Sequence, residues 1–153
     1  MKHFLRIVYS KKLSSKQLLE VGKSANHWKV WRAIVETKSL SPEQLLEVGK
    51  SASHWKVWHA IVETKSLSPE QLLEVGNSAN EDYVWQAIVE VCDFKSFSPK
   101  QLLEVGKSAN DEDVWQTIAE VCDFKSFSSK QLLEVGNSAN KDYVWQIIAN
   151  ILD

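Results

Sequence analysis

The chain is poor in the residues that several functional classes require. Of its 153 residues, two are cysteine, five glycine and three proline. Two cysteines cannot build a disulfide framework, and a reducing, cytoplasmic setting is the natural expectation. So few glycines and prolines argue against a Gly-rich phosphate-cradling enzyme and against a disordered chain. No apolar run approaches the roughly 18 residues of a membrane span, so no membrane insertion is expected. Residues 1–12 lack the apolar core and small-residue cleavage site of a signal peptide, so export is not expected either. The balance, 44% hydrophobic and 25% charged, is that of one ordinary globular domain over residues 1–153.

What is present is a period. Gln-Leu-Leu-Glu-Val-Gly begins at Gln17, Gln44, Gln71, Gln101 and Gln131, at offsets of 27, 27, 30 and 30 residues. The units are 13–39, 40–66, 67–96, 97–126 and 127–153. In the later units the second half is longer by three residues, nearly one helical turn. Residues 7–14 align with residues 34–41, so residues 1–12 read as the last half of a preceding unit, serving as a cap.

Each unit spells two helices. Ser41 reads as an N-cap, with Pro42 at the first helical position and Gln44 completing a capping box. Glycine follows two turns on. All five glycines (22, 49, 76, 106 and 136) fall at this one position, which predicts a left-handed helix end there. A short link closes on Asn in four units and on Ser53 in the other, both good N-caps for the second helix. In the third unit Val84, Ala87, Ile88 and Val91 form the buried stripe of that helix, widened by Trp85, Val89 and Cys92. Asp82, Gln86 and Glu90 mark its wet side. Hairpins this short bury their faces only by stacking. The expected fold is therefore all-α: a right-handed α-solenoid of five helix-turn-helix repeats of 27–30 residues plus the N-terminal half-repeat cap. At about 8–10 Å between packed helices, the stack is roughly 50 Å long.

The string Ser-Pro-Glu-Gln-Leu-Leu-Glu-Val at 41–48, together with His-Trp-Lys-Val-Trp-Arg-Ala-Ile-Val at 27–35, resembles the leucine-rich variant repeats of bacteria, which are HEAT-like helical repeats. The family's usual Arg after the second-helix Val is replaced by Trp31, Trp58, Trp85, Trp115 and Trp145, and the units are longer than the family's. The resemblance implies a bacterial interaction scaffold and supplies no catalytic residue. The opening Leu-Ser-Pro-Glu-Gln is also similar to TAL-effector repeats, whose paired glycines are absent.

Positions that repeat unchanged should be structural, and those that vary while facing water can encode a binding surface. The invariant Trp is expected to pack between hairpins. The variable set lies at the start of the second helix. Its first position is His27, His54, Glu81, Asp111, Lys141; its second is Trp28, Trp55, Asp82, Glu112, Asp142; its third is Lys29, Lys56, Tyr83, Asp113, Tyr143. One turn on lie Arg32, His59, Gln86, Gln116 and Gln146. Trp28 and Trp55 stand where later units carry acids, so both are expected to face solvent. Beside them Lys29, Lys56, Arg32, His59, His27 and His54 complete a hot-spot composition. Trp28 is placed for a cation–π contact with Arg32.

Charge separates along the chain. Residues 1–66 hold twelve Lys/Arg and five Asp/Glu, a net of +7; residues 67–153 hold six and fifteen, a net of −9. All four histidines lie in the positive half. Such a field steers an acidic protein partner to the first repeats. Nucleic acid is the alternative partner, with Trp28 and Trp55 stacking on bases. Head-to-tail self-association is a third reading.

Catalytic chemistry is not legible. Cys92 and Cys122 occupy equivalent positions about 10 Å apart, beyond the ~7 Å a disulfide tolerates, and read as core thiols. His27 and His54 are too far apart to share a metal, and no nucleophile triad is spelled out. Glu20, Glu47 and Glu104 each have Lys three residues on, the spacing of a helix-surface pair. No enzyme activity, cofactor or metal is expected.

Overall fold

A computed structural model describes residues 1–91 and 96–153. Among these residues it contains eleven α-helices and no strand: α1 (Lys2–Tyr9), α2 (Ser15–Ala25), α3 (Trp28–Glu36), α4 (Pro42–Ala52), α5 (Trp55–Glu63), α6 (Pro69–Ala79), α7 (Asp82–Val91), α8 (Pro99–Ala109), α9 (Glu112–Val121), α10 (Ser129–Ala139) and α11 (Asp142–Leu152). They lie in two rows. Helices α1, α3, α5, α7, α9 and α11 pack each against the next, while α4, α6, α8 and α10 form a second row against them.

The first helix of every unit starts as its sequence dictates. Ser14, Ser41, Ser68, Ser98 and Ser128 each cap the backbone N–H of a Gln three residues on, whose side chain returns to the Ser N–H. Two otherwise orphaned donors are satisfied reciprocally.

The helix end differs from the sequence expectation. No glycine has positive φ. Each first helix runs through its Gly for a third turn and ends at Asn26, Ser53, Asn80, Asn110 or Asn140, all left-handed at φ 44–50°. The N–H of each donates to the Gly carbonyl four residues back. These residues close the first helix and do not cap the second. The glycines serve by being small. The invariant Trp nine residues on lies flat on each, and an added Cβ would fall within 3.0 Å of its ring. Trp31, Trp58, Trp85 and Trp115 are buried, each against the Gly of its own hairpin, whereas Trp145 is half-buried.

The core beneath is a repeated pair. Val30 and Ile34, Val57 and Ile61, Val84 and Ile88, Val114 and Ile118 are wholly buried, four residues apart on one helix face. Val91 is only half-buried, and Cys92 lies outside the described residues.

The second helices end in two ways. In the 27-residue units Lys38 and Lys65 adopt φ 55–56°, and their N–H groups bond back to Val35 and Val62. In the fourth unit the three extra residues do not extend the helix by a turn. Helix α9 is one residue longer than α3 (10 against 9), and the chain then forms a 3-10 turn at Phe124–Ser126. Phe124 is buried there edge-on to Phe127, at 5.0 Å, and the turn packs against α11. The insertion acts as a wedge. Helices α3, α5 and α7 press closely together while α2 and α4 barely touch. Toward the other end α6, α8 and α10 press together while α9 and α11 draw apart.

Candidate functional site

The ends of the second helices form a ridge along one edge of the molecule. In the first two units His27 and His54 are the N-caps: Nδ1 accepts the N–H of Lys29 at 3.1 Å and of Lys56 at 3.2 Å. That bond fixes both imidazole rings beside the tryptophans that open α3 and α5. The result is a continuous run of rings. His27 lies 6.0 Å from Trp28, Trp28 4.6 Å from His54 with planes 17° apart, His54 6.3 Å from Trp55, and Trp55 5.5 Å from Tyr83.

Two of the sequence expectations change here. Trp28 does not stand free in solvent; it is half-buried and packs on the core, with its face covered by His54. Nor does Arg32 serve it. The Arg32 guanidinium pairs with Glu36 at 2.9 Å, and the cations over Trp28 are Lys29 at 5.6 Å and Lys56 at 4.9 Å. Lys56 also stands 5.3 Å from the Trp55 ring. One ammonium thus spans both tryptophans, in the geometry of a cation–π contact. Trp55 is 37% exposed and Tyr83 63%. His59 faces Glu63 at 3.5 Å, and Arg32, Trp55, Lys56, His59 and Glu63 line a shallow groove of about 240 Å³.

All eight residues singled out from sequence belong to this face of α3 and α5. Tyr83 was not among them. Its signal was its register with Lys29 and Lys56, but a single aromatic among varied residues does not reveal that it ends a stack.

Past Tyr83 the same ridge is acidic. Asp111 caps α9, its carboxylate accepting the Asp113 N–H at 2.8 Å, and Glu81, Asp82 and Asp113 are exposed. Glu112 is tied within its own chain to Lys141 at 2.7 Å, and the Tyr143 hydroxyl donates to the Glu112 carbonyl at 3.5 Å. The hydrogen bond to Glu112 raises the Lys141 pKa; burial, and then Glu112, raises that of Tyr143.

The repeated Lys and Glu of the first helices do not pair within one helix. Lys23 reaches Glu47 of the next unit at 2.9 Å, Lys50 reaches Glu74 at 2.6 Å, and Lys107 reaches Glu134, whose carboxyl pKa it lowers. These exposed pairs tie neighbouring units and carry little stability each. Between α8 and α10 lies an open trough of about 870 Å³, flanked by Lys100, Lys107, Lys130 and Glu134. Cys122 is half-buried, and burial pushes its thiol up to about 12. Among the described residues no three His, Cys, Asp or Glu side chains gather as a metal site, and no helix is long and apolar enough to cross a membrane. No family model, curated protein or solved structure matches the chain.

Proposed function

We propose that the protein is a non-enzymatic interaction scaffold, a right-handed solenoid of five helical repeats with an N-terminal half-repeat cap, that binds a protein partner along the ridge of α3, α5 and α7. The observation that carries this reading is the ring run ending in exposed Trp55 and Tyr83 with Lys29 and Lys56 over it. The fold does not need these groups at the surface. At the same register the fourth unit has Glu112 and Asp113 and forms its helix equally well. Exposed aromatics beside cations have the composition of an interface hot spot, and the lysines select an acidic partner. The resemblance to bacterial leucine-rich variant repeats and the few cysteines support a cytoplasmic, bacterial scaffold.

The covered faces of Trp28 and His54 speak against nucleic acid. A base needs a free ring face to stack on, and His54 covers one face of Trp28.

The test is a pull-down from lysate with the wild-type chain, Trp55→Ala/Lys56→Ala, and Trp28→Ala as a separate variant, each with and without nuclease. A protein retained by wild type, lost with Trp55→Ala/Lys56→Ala and indifferent to nuclease is the expected result. Recovery that vanishes with nuclease would replace this reading with nucleic-acid binding. Retention unchanged in the double variant would remove the ridge as the site.

A further inference from the structure

Resting on the ridge as a protein-binding surface, we propose that its partner is a second copy of this chain, laid antiparallel along the same ridge about a two-fold axis between α5 and α7. The order of charge along the ridge supplies the argument. The first unit presents Lys29 and His27, the second Lys56 and His54, the third Glu81 and Asp82, the fourth Asp111 and Asp113. In sign this reads plus, plus, minus, minus. Reversed, it is its own complement. Two copies in antiparallel register place the first unit against the fourth and the second against the third, so every basic unit meets an acidic one. A parallel arrangement sets like on like, and a shift by one unit sets the third unit's acids against themselves. Like charges in apposition are what exclude a register.

The aromatic residues fall where such an interface needs them. Trp55 and Tyr83, the exposed end of the ring run, touch each other at 5.5 Å across the boundary between the basic and acidic units. The two-fold axis passes beside them, so four rings meet at the centre and the charges surround them. An aromatic centre inside a charged rim is the usual anatomy of a binding hot spot. An isologous contact of this kind closes on itself and does not propagate. An unrelated acidic segment would satisfy only the lysines and leave Glu81, Asp82 and Asp113 unanswered, whereas a second copy uses both halves. Four units at about 10 Å each, about one helix diameter wide, give a contact smaller than the roughly 800 Å² per partner of a standard interface. The dimer is therefore expected to depend on concentration and salt.

Sedimentation equilibrium on the full chain tests this with two charge-reversed variants: Lys29→Glu/Lys56→Glu, and Glu81→Lys/Asp82→Lys/Asp113→Lys. Wild type should dimerise in low salt and dissociate at about 1 M salt, where screening reaches to within ~3 Å. Each variant alone should self-associate at least about tenfold more weakly, since its reversal sets like charges against each other where the second and third units meet. Mixed one to one, the variants should pair with each other about as well as wild type pairs with itself. Failure of the mixture to pair, or a variant that dimerises alone like wild type, would overturn the arrangement. If circular dichroism shows a variant unfolded, the wild-type salt series and Tyr83→Ala decide: a dimer indifferent to both overturns it. A wild type that stays monomeric at every concentration in low salt, yet retains another protein in the pull-down, would remove self-pairing and leave the ridge as a partner site. A monomer that retains nothing would remove both.

Discussion

In the 27-residue units the second helix closes on a lysine held in the left-handed region; in the fourth, 30-residue unit it closes on extended Cys122 and a 3-10 turn that buries Phe124. The first helices are nearly the same in both, with the same capping box and the same Trp lying on Gly. The difference is thus confined to one corner of the repeat, and it shows in both rows. Where the corner is short, the second helices press together and bring His27, Trp28, His54, Trp55 and Tyr83 into one run of rings. Where it is long, α9 and α11 separate, and their ends hold a Lys141–Glu112 pair in place of stacked rings. The contrast is local to the last long corner, since α7 and α9, joined through a 30-residue unit, still pack as α1 and α3 do, and helix spacing decides which side chains meet along the ridge.

Removing the wedge is the strongest way to break the contrast. Phe124→Ala deletes a wholly buried ring that packs edge-on to Phe127, and should destabilise by about 3–5 kcal/mol. An unfolding free energy in urea that fell by under about 1 kcal/mol would mean that the turn is a passive loop and not the spacer between α9 and α11.

Glycine offers a subtler comparison along the chain. Gly49→Ala drives a methyl group into the ring of buried Trp58, which has no room to yield. Overpacking should outweigh the ~1 kcal/mol gain in helix propensity and leave a net loss of about 2 kcal/mol. Gly136→Ala meets Trp145, which is half-exposed and can move aside, so there the two effects should nearly cancel. Equal losses at the two sites would show that the Gly–Trp contact is set within one hairpin, regardless of what stacks above it.

The repeat, the all-helical class and the serine caps were legible because each rests on residues within one turn of each other. The Val–Ile stripe was legible from its spacing. The role of glycine was not. Gly49 is small to admit Trp58, nine residues away on the other helix, and a linear reading sees only that glycine often ends helices. Asn26 and its equivalents misled for a related reason: asparagine suits both an N-cap and a left-handed helix end, and only the path of the chain chooses between them. The eight surface residues were found through their variation between units. Their arrangement was hidden, since the stacking of Trp28 on His54 joins separate repeats and Arg32 had Glu36 closer at hand.

The lysine ends of the short units carry backbone strain that the fourth unit lacks. Lys38 holds φ 55° with its side chain exposed, a conformation that glycine adopts without a Cβ clash. Lys38→Gly should stabilise by about 0.5–1 kcal/mol, relief of the clash exceeding the added freedom of the unfolded chain. The same substitution at Cys122, where φ is −87°, has no strain to relieve and should destabilise. Thermal melts of the two variants therefore separate in opposite directions if the corners differ as described, and shift together if they do not.

The smallest expected effect concerns the single departure among the first-helix ends. Ser53 occupies the left-handed position filled by asparagine in the other four units, at the same φ of 44° as Asn26. Asparagine tolerates this region better than serine, since its amide can bond locally to the backbone it distorts. Ser53→Asn should therefore stabilise by a few tenths of a kcal/mol, raising the melting temperature by about 1 °C in a chain of this size. Asn80→Ser should lower it by a similar amount. Both residues are exposed and end helices of equal length, so the pair isolates the backbone term. A gain at Ser53 without a loss at Asn80 would show that the short and long halves differ at this corner as well. Opposite shifts of equal size would confine the difference to the ends of the second helices.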